Sequence, residues 1–196
     1  MRIGVDFDNT IACYDGVFHR AALERGIIPA DLQHDKTSVR DHLRTVGREA
    51  AWTELQGIVY GPRIALAAPF PGVADFFGSC AARGIETLVV SHRTRVPYLG
   101  EPHDLHLAAR QWLGAKALLP QSRVYFETSR EDKLARIAAL GCSHFVDDLP
   151  ELLTASDFPA AVQPILFDPE DRYGDLPLWR IRHWDELRFW LESAAA

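Results

Sequence analysis

Short apolar segments alternate along this chain with longer segments in which apolar residues recur every three or four positions. The short segments predict five β-strands, at residues 2–5, 85–90, 123–126, 143–146 and 164–167. The longer segments predict helices at residues 73–83, 105–113, 131–140 and 183–192. Because the strands are apolar along most of their length and alternate with helices, we expect an α/β fold with a parallel sheet covered by helices on both faces.

Residues 15–68 interrupt this alternation. They contain helical patterns at residues 17–25, 39–43 and 48–58, and no convincing strand. Pro69-Phe70-Pro71-Gly72 then marks a turn before the next helix. We interpret this stretch as a helical insertion after the first strand, at the edge of a parallel sheet where ligand sites lie.

Composition limits which partners and which cellular location are compatible with this chain. The chain has 196 residues and a net charge of −6, from 27 acidic and 21 basic residues, which disfavours a nucleic-acid-binding surface. Three widely spaced cysteines suggest neither a disulfide framework nor a zinc site, and they favour a reducing, cytoplasmic location. No signal sequence or membrane-spanning apolar segment is apparent, so we expect no membrane association. The alanines at 194–196 are expected to be a frayed end, and no pattern indicates an oligomeric state.

Candidate chemistry lies where predicted strands end. Asp6 and Asp8 follow the first strand two residues apart and therefore project to the same side. Ser91 ends the second strand, Lys133 lies near the start of a helix, and Asp147-Asp148 follows the fourth strand. Since the carboxyl ends of parallel strands meet at one edge, these groups are expected to converge. Four carboxylates together with one ammonium and two hydroxyls suit a hard divalent cation, Mg²⁺, and a phosphate group.

The pattern of Asp6-x-Asp8-x-Thr10, Ser91, Lys133 and the acidic pair resembles the haloacid dehalogenase (HAD) superfamily of phosphohydrolases. The resemblance covers most of the chain. It implies a Rossmann-like catalytic core at residues 1–14 and 69–196, with the first strand central. Residues 15–68 would then form a small helical cap.

The resemblance also implies roles for the motif residues. Asp6 would be the nucleophile that forms an aspartyl-phosphate, and Asp8 the acid/base that Thr10 orients. Ser91 would bind a phosphoryl oxygen, and Lys133 would balance the charge of Asp6 and the phosphoryl group. The resemblance implies that Asp6, the main-chain carbonyl of Asp8, Asp147 and Asp148 hold Mg²⁺. Which acid of the pair binds the ion directly stays open.

The expected activity is Mg²⁺-dependent hydrolysis of a small phosphate monoester, of the sugar phosphate or nucleotide class. The dehalogenases of the superfamily lack an Asp at the position of Asp8, so its presence favours phosphate esters over carbon–halogen bonds. Three alternatives stay open: a phosphotransferase on the same fold, a receiver-type phospho-acceptor, and a non-catalytic module that binds a phosphate ligand.

Residues 91–104 form a long segment with basic residues, histidines and a tyrosine. Loops of this length in a compact domain are often functional. We therefore predict that Ser91, His92, Arg93 and Arg95 contact the substrate, with either arginine meeting a second anionic group or a sugar hydroxyl. A surface loop with scattered arginines is the alternative interpretation.

Overall fold

The computed structural model describes residues 1–193, so the expected frayed end at 194–196 lies outside the described residues. The strands are β1 (Arg2–Val5), β2 (Ala12–Cys13), β3 (Ala68–Pro69), β4 (Glu86–His92), β5 (Val124–Glu127), β6 (His144–Asp147), β7 (Gln163–Phe167) and β8 (Trp179–Ile181). The helices are α1 (Val17–Glu24), α2 (Lys36–Thr45), α3 (Glu49–Tyr60), α4 (Val73–Ala82), α5 (Leu105–Lys116), α6 (Arg130–Ala139), α7 (Pro150–Leu153) and α8 (Trp184–Ser193).

Six of these strands form one parallel sheet in the order β5-β4-β1-β6-β7-β8. In β1, Val5 is the partner of Val89 in β4 on one side and of Val146 in β6 on the other. The first strand therefore occupies the middle of the sheet, and the predicted parallel α/β architecture is confirmed. The edge strand β8 was not predicted from the sequence.

Helices cover both faces of this sheet. On one face, Leu134 and Ile137 of α6 join a buried cluster with Leu88 of β4 and Phe145 of β6. On the other face, Phe76 of α4 lies 5.0 Å from the ring of Trp184 in α8. Burial on both faces of the sheet explains why the middle positions of these strands are mostly apolar and do not alternate with polar residues.

Gly4 in β1 allows the central strands to approach closely. A Cβ atom at this position would lie 2.5 Å from Cδ2 of Phe145, which is too close for any side chain. The Phe145 ring therefore packs directly over the β1 backbone. The Nζ atom of Lys133 lies 5.5 Å from the centre of the same ring, so the Phe145 ring also packs beneath the Lys133 ammonium.

The chain divides into two compact units. The sheet unit contains Met1–Ala12, Pro69–His92 and the described residues from Lys116 onward. The helical unit contains Cys13–Ala68 and Arg93–Ala115. The structure thus groups Arg93–Ala115 with the helical segments, whereas the sequence analysis placed these residues in the core and set the boundaries at 15 and 68.

The helical unit has an aromatic core of its own. The ring of Phe18 in α1 stacks on Trp52 of α3 at 5.0 Å, and Tyr14 meets the edge of Tyr60 at 5.1 Å. The indole nitrogen of Trp112 donates a hydrogen bond to the carbonyl of Ala67 at 3.0 Å. Helix α5 is thereby tied to the end of the predicted insertion. Among the described residues, no helix has the length and apolar content needed to cross a membrane.

Candidate active site

Asp6 is the first residue after β1. Its backbone NH donates to the carbonyl of Val146 at 2.9 Å, which continues the parallel pairing between β1 and β6 by one step. The residue is only 5% exposed. The middle of the sheet therefore fixes the backbone that carries this carboxylate.

Lys133 projects from the first turn of α6. Ser129 caps that helix, because its side chain accepts a hydrogen bond from the backbone NH of Asp132. The Lys133 Nζ atom lies 2.6 Å from Oδ1 of Asp6 and 2.6 Å from Oδ2 of Asp147. An ammonium group buried this completely needs such partners to remain charged. The Lys133 ammonium therefore links Asp6, directly after β1, to Asp147, at the end of β6.

The acidic pair lies at the end of β6, with Asp147 as the last residue of the strand and Asp148 directly after it. Asp147 is fully buried, and its Oδ1 accepts a hydrogen bond from the backbone NH of Leu149 at 3.0 Å. Oδ1 of Asp148 accepts one from the hydroxyl of Thr10 at 3.3 Å. Asp6, Asp147 and Asp148 each offer one carboxylate oxygen, and these three oxygen atoms lie within 4.8 Å of one another. Asp6 precedes Asp147 by 141 residues in the sequence, and the structure brings these carboxylates together at the strand ends where the sequence placed them.

The charge of this cluster favours a cation. Burial raises the pKa of Asp6 well above its usual range, Lys133 opposes this rise, and the carboxylates of Asp147 and Asp148 add to it. Burial lowers the pKa of Lys133, but attraction to Asp147 and Asp6 outweighs that effect and leaves the pKa raised. Lys133 is therefore charged, and within this group of four it balances only one of three carboxylates.

The donor set suits a hard divalent cation. Mg²⁺ prefers oxygen ligands and binds through one or two carboxylates together with water and substrate phosphate oxygens. Asp6, Asp147 and Asp148 offer such oxygens. Asp8 is not part of this carboxylate set, and the contribution predicted for it is a main-chain carbonyl, which stays a prediction.

A tight turn connects Asp6 to β2. The backbone NH groups of Ile11 and Ala12 both donate to the carbonyl of Phe7, at 3.0 and 2.9 Å. Asn9 adopts a left-handed φ of 59°, a conformation that asparagine tolerates better than most residues. The turn carries Asp8, which is half-buried, and Thr10, which is fully buried. Asp8 and Thr10 therefore lie on one folded segment directly after the nucleophile candidate.

Ser91 and His92 end β4, the strand next to β1. Ser91 is 1% exposed and lies two positions beyond Val89, the partner of Val5. His92 is exposed, and its Nε2 lies 3.2 Å from the carbonyl oxygen of Thr128. Both residues therefore belong to the carboxyl edge of the sheet that also carries Asp6, and their predicted substrate contacts stay predictions.

The two arginines that follow belong to the helical unit. Arg93 is buried, and its guanidinium donates to the carbonyls of Leu105 and Tyr60 at 3.1 and 2.7 Å. It also lies 5.0 Å from the centre of the Tyr60 ring. These contacts favour a structural role for Arg93 over the predicted substrate contact. The exposed Arg95 lies 3.5 Å from Asp104, and its substrate contact stays a prediction.

One contact to this region was missed by the sequence analysis. The indole nitrogen of Trp184 donates to the carbonyl of Thr10 at 3.2 Å, across 174 residues of sequence. From the sequence, Trp184 is only one residue of the helix predicted at 183–192. Buried tryptophans usually find a hydrogen-bond acceptor, but the sequence does not indicate which one.

No protein-family model matches the sequence, and no curated protein matches it significantly. Solved structures share the fold. A HAD-superfamily hydrolase from Ehrlichia chaffeensis has 14% identity and a TM-score of 0.59, with 100% of this chain and 97% of that chain covered. A HAD hydrolase of family IA from Entamoeba histolytica has 12% identity and a TM-score of 0.61, with 94% of each chain covered. A HAD family hydrolase from Deinococcus radiodurans, solved with bound phosphate and sodium, has 14% identity and a TM-score of 0.58, with 99% and 96% covered. This chain therefore has the fold of the HAD hydrolases, as the sequence motifs predicted.

Proposed function

We propose that this protein is a Mg²⁺-dependent phosphatase that hydrolyses a small phosphate monoester through an aspartyl-phosphate on Asp6. The observation that carries the proposal is the bridge from Lys133 to Asp6 and Asp147, with the Asp148 carboxylate beside them. A nucleophile, a fixed positive charge and a set of oxygen ligands are the components that phosphoryl transfer requires. The Deinococcus structure with bound phosphate shows that a protein of this fold accommodates that anion.

Asp6 is assigned as the nucleophile because its carboxylate is held at one oxygen by Lys133, 2.6 Å away. Its other oxygen attacks phosphorus, and the bond from phosphorus to the leaving alcohol breaks. Asp8 in its protonated form gives its proton to the leaving oxygen. In the second step Asp8 takes a proton from water as the water attacks phosphorus. The bond to Asp6 then breaks and inorganic phosphate is released.

The remaining residues stabilise charge. Lys133 offsets negative charge on the transferring group, and the buried hydroxyl of Ser91 donates to one of its oxygens. Mg²⁺, held by Asp6, Asp147, Asp148 and the main-chain carbonyl of Asp8, would supply electrostatic stabilisation of the phosphoryl oxygens. Thr10 fixes Asp148 through its 3.3 Å hydrogen bond and restrains the turn that carries Asp8.

We assign the substrate to small sugar phosphates or nucleoside monophosphates. This assignment depends on the predicted cap at residues 15–68, since a small cap suits a compact substrate better than a phosphoprotein. A phosphotransferase would use the same residues with a different acceptor in the second step. A panel of phosphorylated metabolites, assayed with and without added alcohols, separates these two reactions.

The direct test is hydrolysis of p-nitrophenyl phosphate in Mg²⁺ and in EDTA. We expect Mg²⁺-dependent turnover that Asp6→Asn lowers more than about a thousandfold. Asp157→Asn is the matched control, because Asp157 is an exposed carboxylate that pairs with Arg130; its activity should equal that of the wild type.

Two other outcomes would favour the alternatives. An aspartyl-phosphate that forms and then persists would favour the receiver-type phospho-acceptor. Phosphate binding without any Mg²⁺-dependent turnover would favour a non-catalytic module. Equal activity of Asp6→Asn and wild type would contradict the assignment of Asp6 as nucleophile.

A further inference from the structure

The turn after β1 is held by hydrogen bonds to its carbonyl groups. The carbonyl of Phe7 accepts from two backbone NH groups of the turn, that of Ala12 from Asn9, and that of Ile11 from Phe70. The carbonyl of Thr10 accepts from a side chain instead, the indole of Trp184 at 3.2 Å. The last described helix of the chain therefore takes part in fixing the turn that carries Asp8 and Thr10.

Thr10 is held from two directions. Its hydroxyl donates to Oδ1 of Asp148 at 3.3 Å, and its carbonyl accepts from Trp184. Both Thr10 and Trp184 are fully buried. In a buried environment a hydrogen bond is stronger and its loss is more costly than at the surface. Removing the indole donor would leave the Thr10 carbonyl buried without this partner.

The surroundings keep Trp184 in place. Its ring lies 5.0 Å from that of Phe76 and 5.7 Å from that of Phe167. Gly72 permits the close approach of α4 to α8, since a Cβ at Gly72 would lie 3.0 Å from Cβ of Trp184, and its φ of 84° also favours glycine. Packing therefore leaves the indole little freedom to move away from Thr10.

We propose that Trp184 is a positioning residue, which fixes the Asp8–Thr10 turn through the Thr10 carbonyl and so aligns Asp8 and Thr10 with the Asp6 cluster. This inference rests on the proposed phosphatase function. It assigns to the indole NH a role beyond packing, because the contacts of the ring with Phe76 and Phe167 do not use that donor.

The test compares Trp184→Phe with wild type in steady-state hydrolysis of p-nitrophenyl phosphate. Phenylalanine keeps a ring between Phe76 and Phe167 but lacks the NH donor. We expect kcat to fall about tenfold, the effect of losing one buried hydrogen bond that orients a reacting group, with KM within twofold of wild type. A merely structural residue would lower stability and leave kcat unchanged.

Trp190→Phe is the matched control on the same helix. Trp190 packs against His144 and Trp179, at 5.1 and 4.8 Å, and belongs to no part of the proposed catalytic machinery. Its kcat and KM should equal those of wild type. A fall in kcat of the same size in Trp190→Phe would contradict the inference, because loosening of α8 alone would then explain the effect.

Replacement of Trp184 by benzothienylalanine tests the inference if Trp184→Phe does not fold. In this analogue sulfur replaces the indole NH and the size of the ring system is retained. We expect the same tenfold fall in kcat. Wild-type kcat in either folded variant would overturn the inference while leaving the proposed function intact. A wild-type enzyme without Mg²⁺-dependent turnover would instead contradict the proposed function.

A second measurement does not depend on turnover. With ¹⁵N-labelled protein, the indole NH signal of Trp184 is identified as the one that disappears in Trp184→Phe. Because this NH is buried and bonded to a carbonyl, it should exchange with solvent at least about a hundredfold more slowly than the NH of half-buried Trp190. Equal exchange of the two signals would overturn the assigned hydrogen bond.

Discussion

Lys133 determines the charge balance of the candidate site. Its ammonium group is buried and lies 2.6 Å from a carboxylate oxygen on each of two strands. Removing one partner of a buried ion pair destabilises a protein far more than removing a surface charge. The charged groups left behind are buried and cannot be solvated by water. Lys133 is therefore required both for the proposed reaction and for the stability of the unbound protein.

We predict that Lys133→Met abolishes turnover and lowers the free energy of unfolding in EDTA by roughly 3–5 kcal/mol. Methionine has a similar length but no charge, so Asp6 and Asp147 would lose their shared partner. Mg²⁺ should recover part of the lost stability, since it also offsets carboxylate charge. Urea unfolding of the variant in EDTA and in Mg²⁺ measures both effects.

Lys116→Met is the control for this prediction, because Lys116 is exposed at the end of α5. Its unfolding free energy should lie within about 0.5 kcal/mol of wild type. Equal stability of Lys133→Met and wild type in EDTA would contradict the charge balance described for the cluster.

The sequence predicted most of the cluster at the level of single residues. Asp6 follows β1, and Asp147 and Asp148 lie at the end of β6, so their meeting follows from the parallel pairing of these two strands. Arg93 could not be assigned in this way. Its partners are the carbonyls of Tyr60 and Leu105, and a contact between a loop and two distant main-chain groups leaves no signal in residue type or spacing.

At the scale of elements, α6 connects a helix cap to the site. The Ser129 hydroxyl oxygen accepts from the backbone NH of Asp132 at 3.0 Å, and Lys133 is the next residue along the chain. The start of the helix therefore sets the direction in which the Lys133 side chain leaves the backbone. Fraying of this first turn would displace the ammonium from both of its carboxylate partners.

We predict that Ser129→Ala lowers the unfolding free energy by about 1 kcal/mol, as loss of an N-cap usually does, and lowers kcat severalfold. The kinetic effect arises because the frayed turn carries Lys133. The Asp35→Ala variant removes the cap of α2, where Asp35 accepts from the backbone NH of Ser38 at 2.9 Å. It should lower stability by a similar amount without changing kcat.

Thermal unfolding and steady-state kinetics on the two cap variants provide the comparison. If Ser129→Ala loses stability but keeps wild-type kcat, the first turn of α6 does not control the position of Lys133.

Elements were predictable where their pattern is long. The strands β1 and β4 to β7 and the helices α4, α5, α6 and α8 all correspond to predicted segments. Short apolar segments between helical patterns of two or more turns identify both kinds of element. The edge strand β8 was missed. Its three residues, Trp179–Ile181, are too few to show alternation, and its pairing with β7 depends on the completed sheet.

At the scale of the whole molecule, a buried carboxylate outside the active site couples stability to pH. Asp168 follows β7 and accepts hydrogen bonds from the backbone NH groups of Arg172 and Tyr173, at 3.0 and 2.9 Å, and from Arg180 at 2.9 Å. Burial alone raises the pKa of Asp168, but these donors outweigh it and hold the pKa below its usual value.

Some carboxyl groups have a lower pKa in the folded protein than in the unfolded protein. Such a group stabilises the folded protein at pH values above the pKa of the unfolded state. That contribution is lost as the pH falls through the folded pKa. We therefore predict that wild type is more stable than Asp168→Asn by roughly 2 kcal/mol at pH 7. The difference should shrink as the pH falls below about 4.

Urea unfolding of both proteins across this pH range measures the difference. Asp175→Asn, which changes an exposed residue of the same loop, should match wild type at every pH. A difference between wild type and Asp168→Asn that stays constant from pH 7 to pH 3 would show that the ionised carboxylate does not stabilise the fold.

In the proposed reaction, a phosphoryl group passes to the carboxylate of Asp6. The most direct measurement is to mix the protein with p-nitrophenyl phosphate and Mg²⁺, quench in acid, reduce with borohydride and locate the modified residue by mass spectrometry. An aspartyl-phosphate is reduced to homoserine, whereas a free aspartate is not. We predict homoserine at position 6, present with substrate and Mg²⁺ and absent in EDTA. An unmodified Asp6, or homoserine at another aspartate, in a sample that is turning over substrate would contradict the claim.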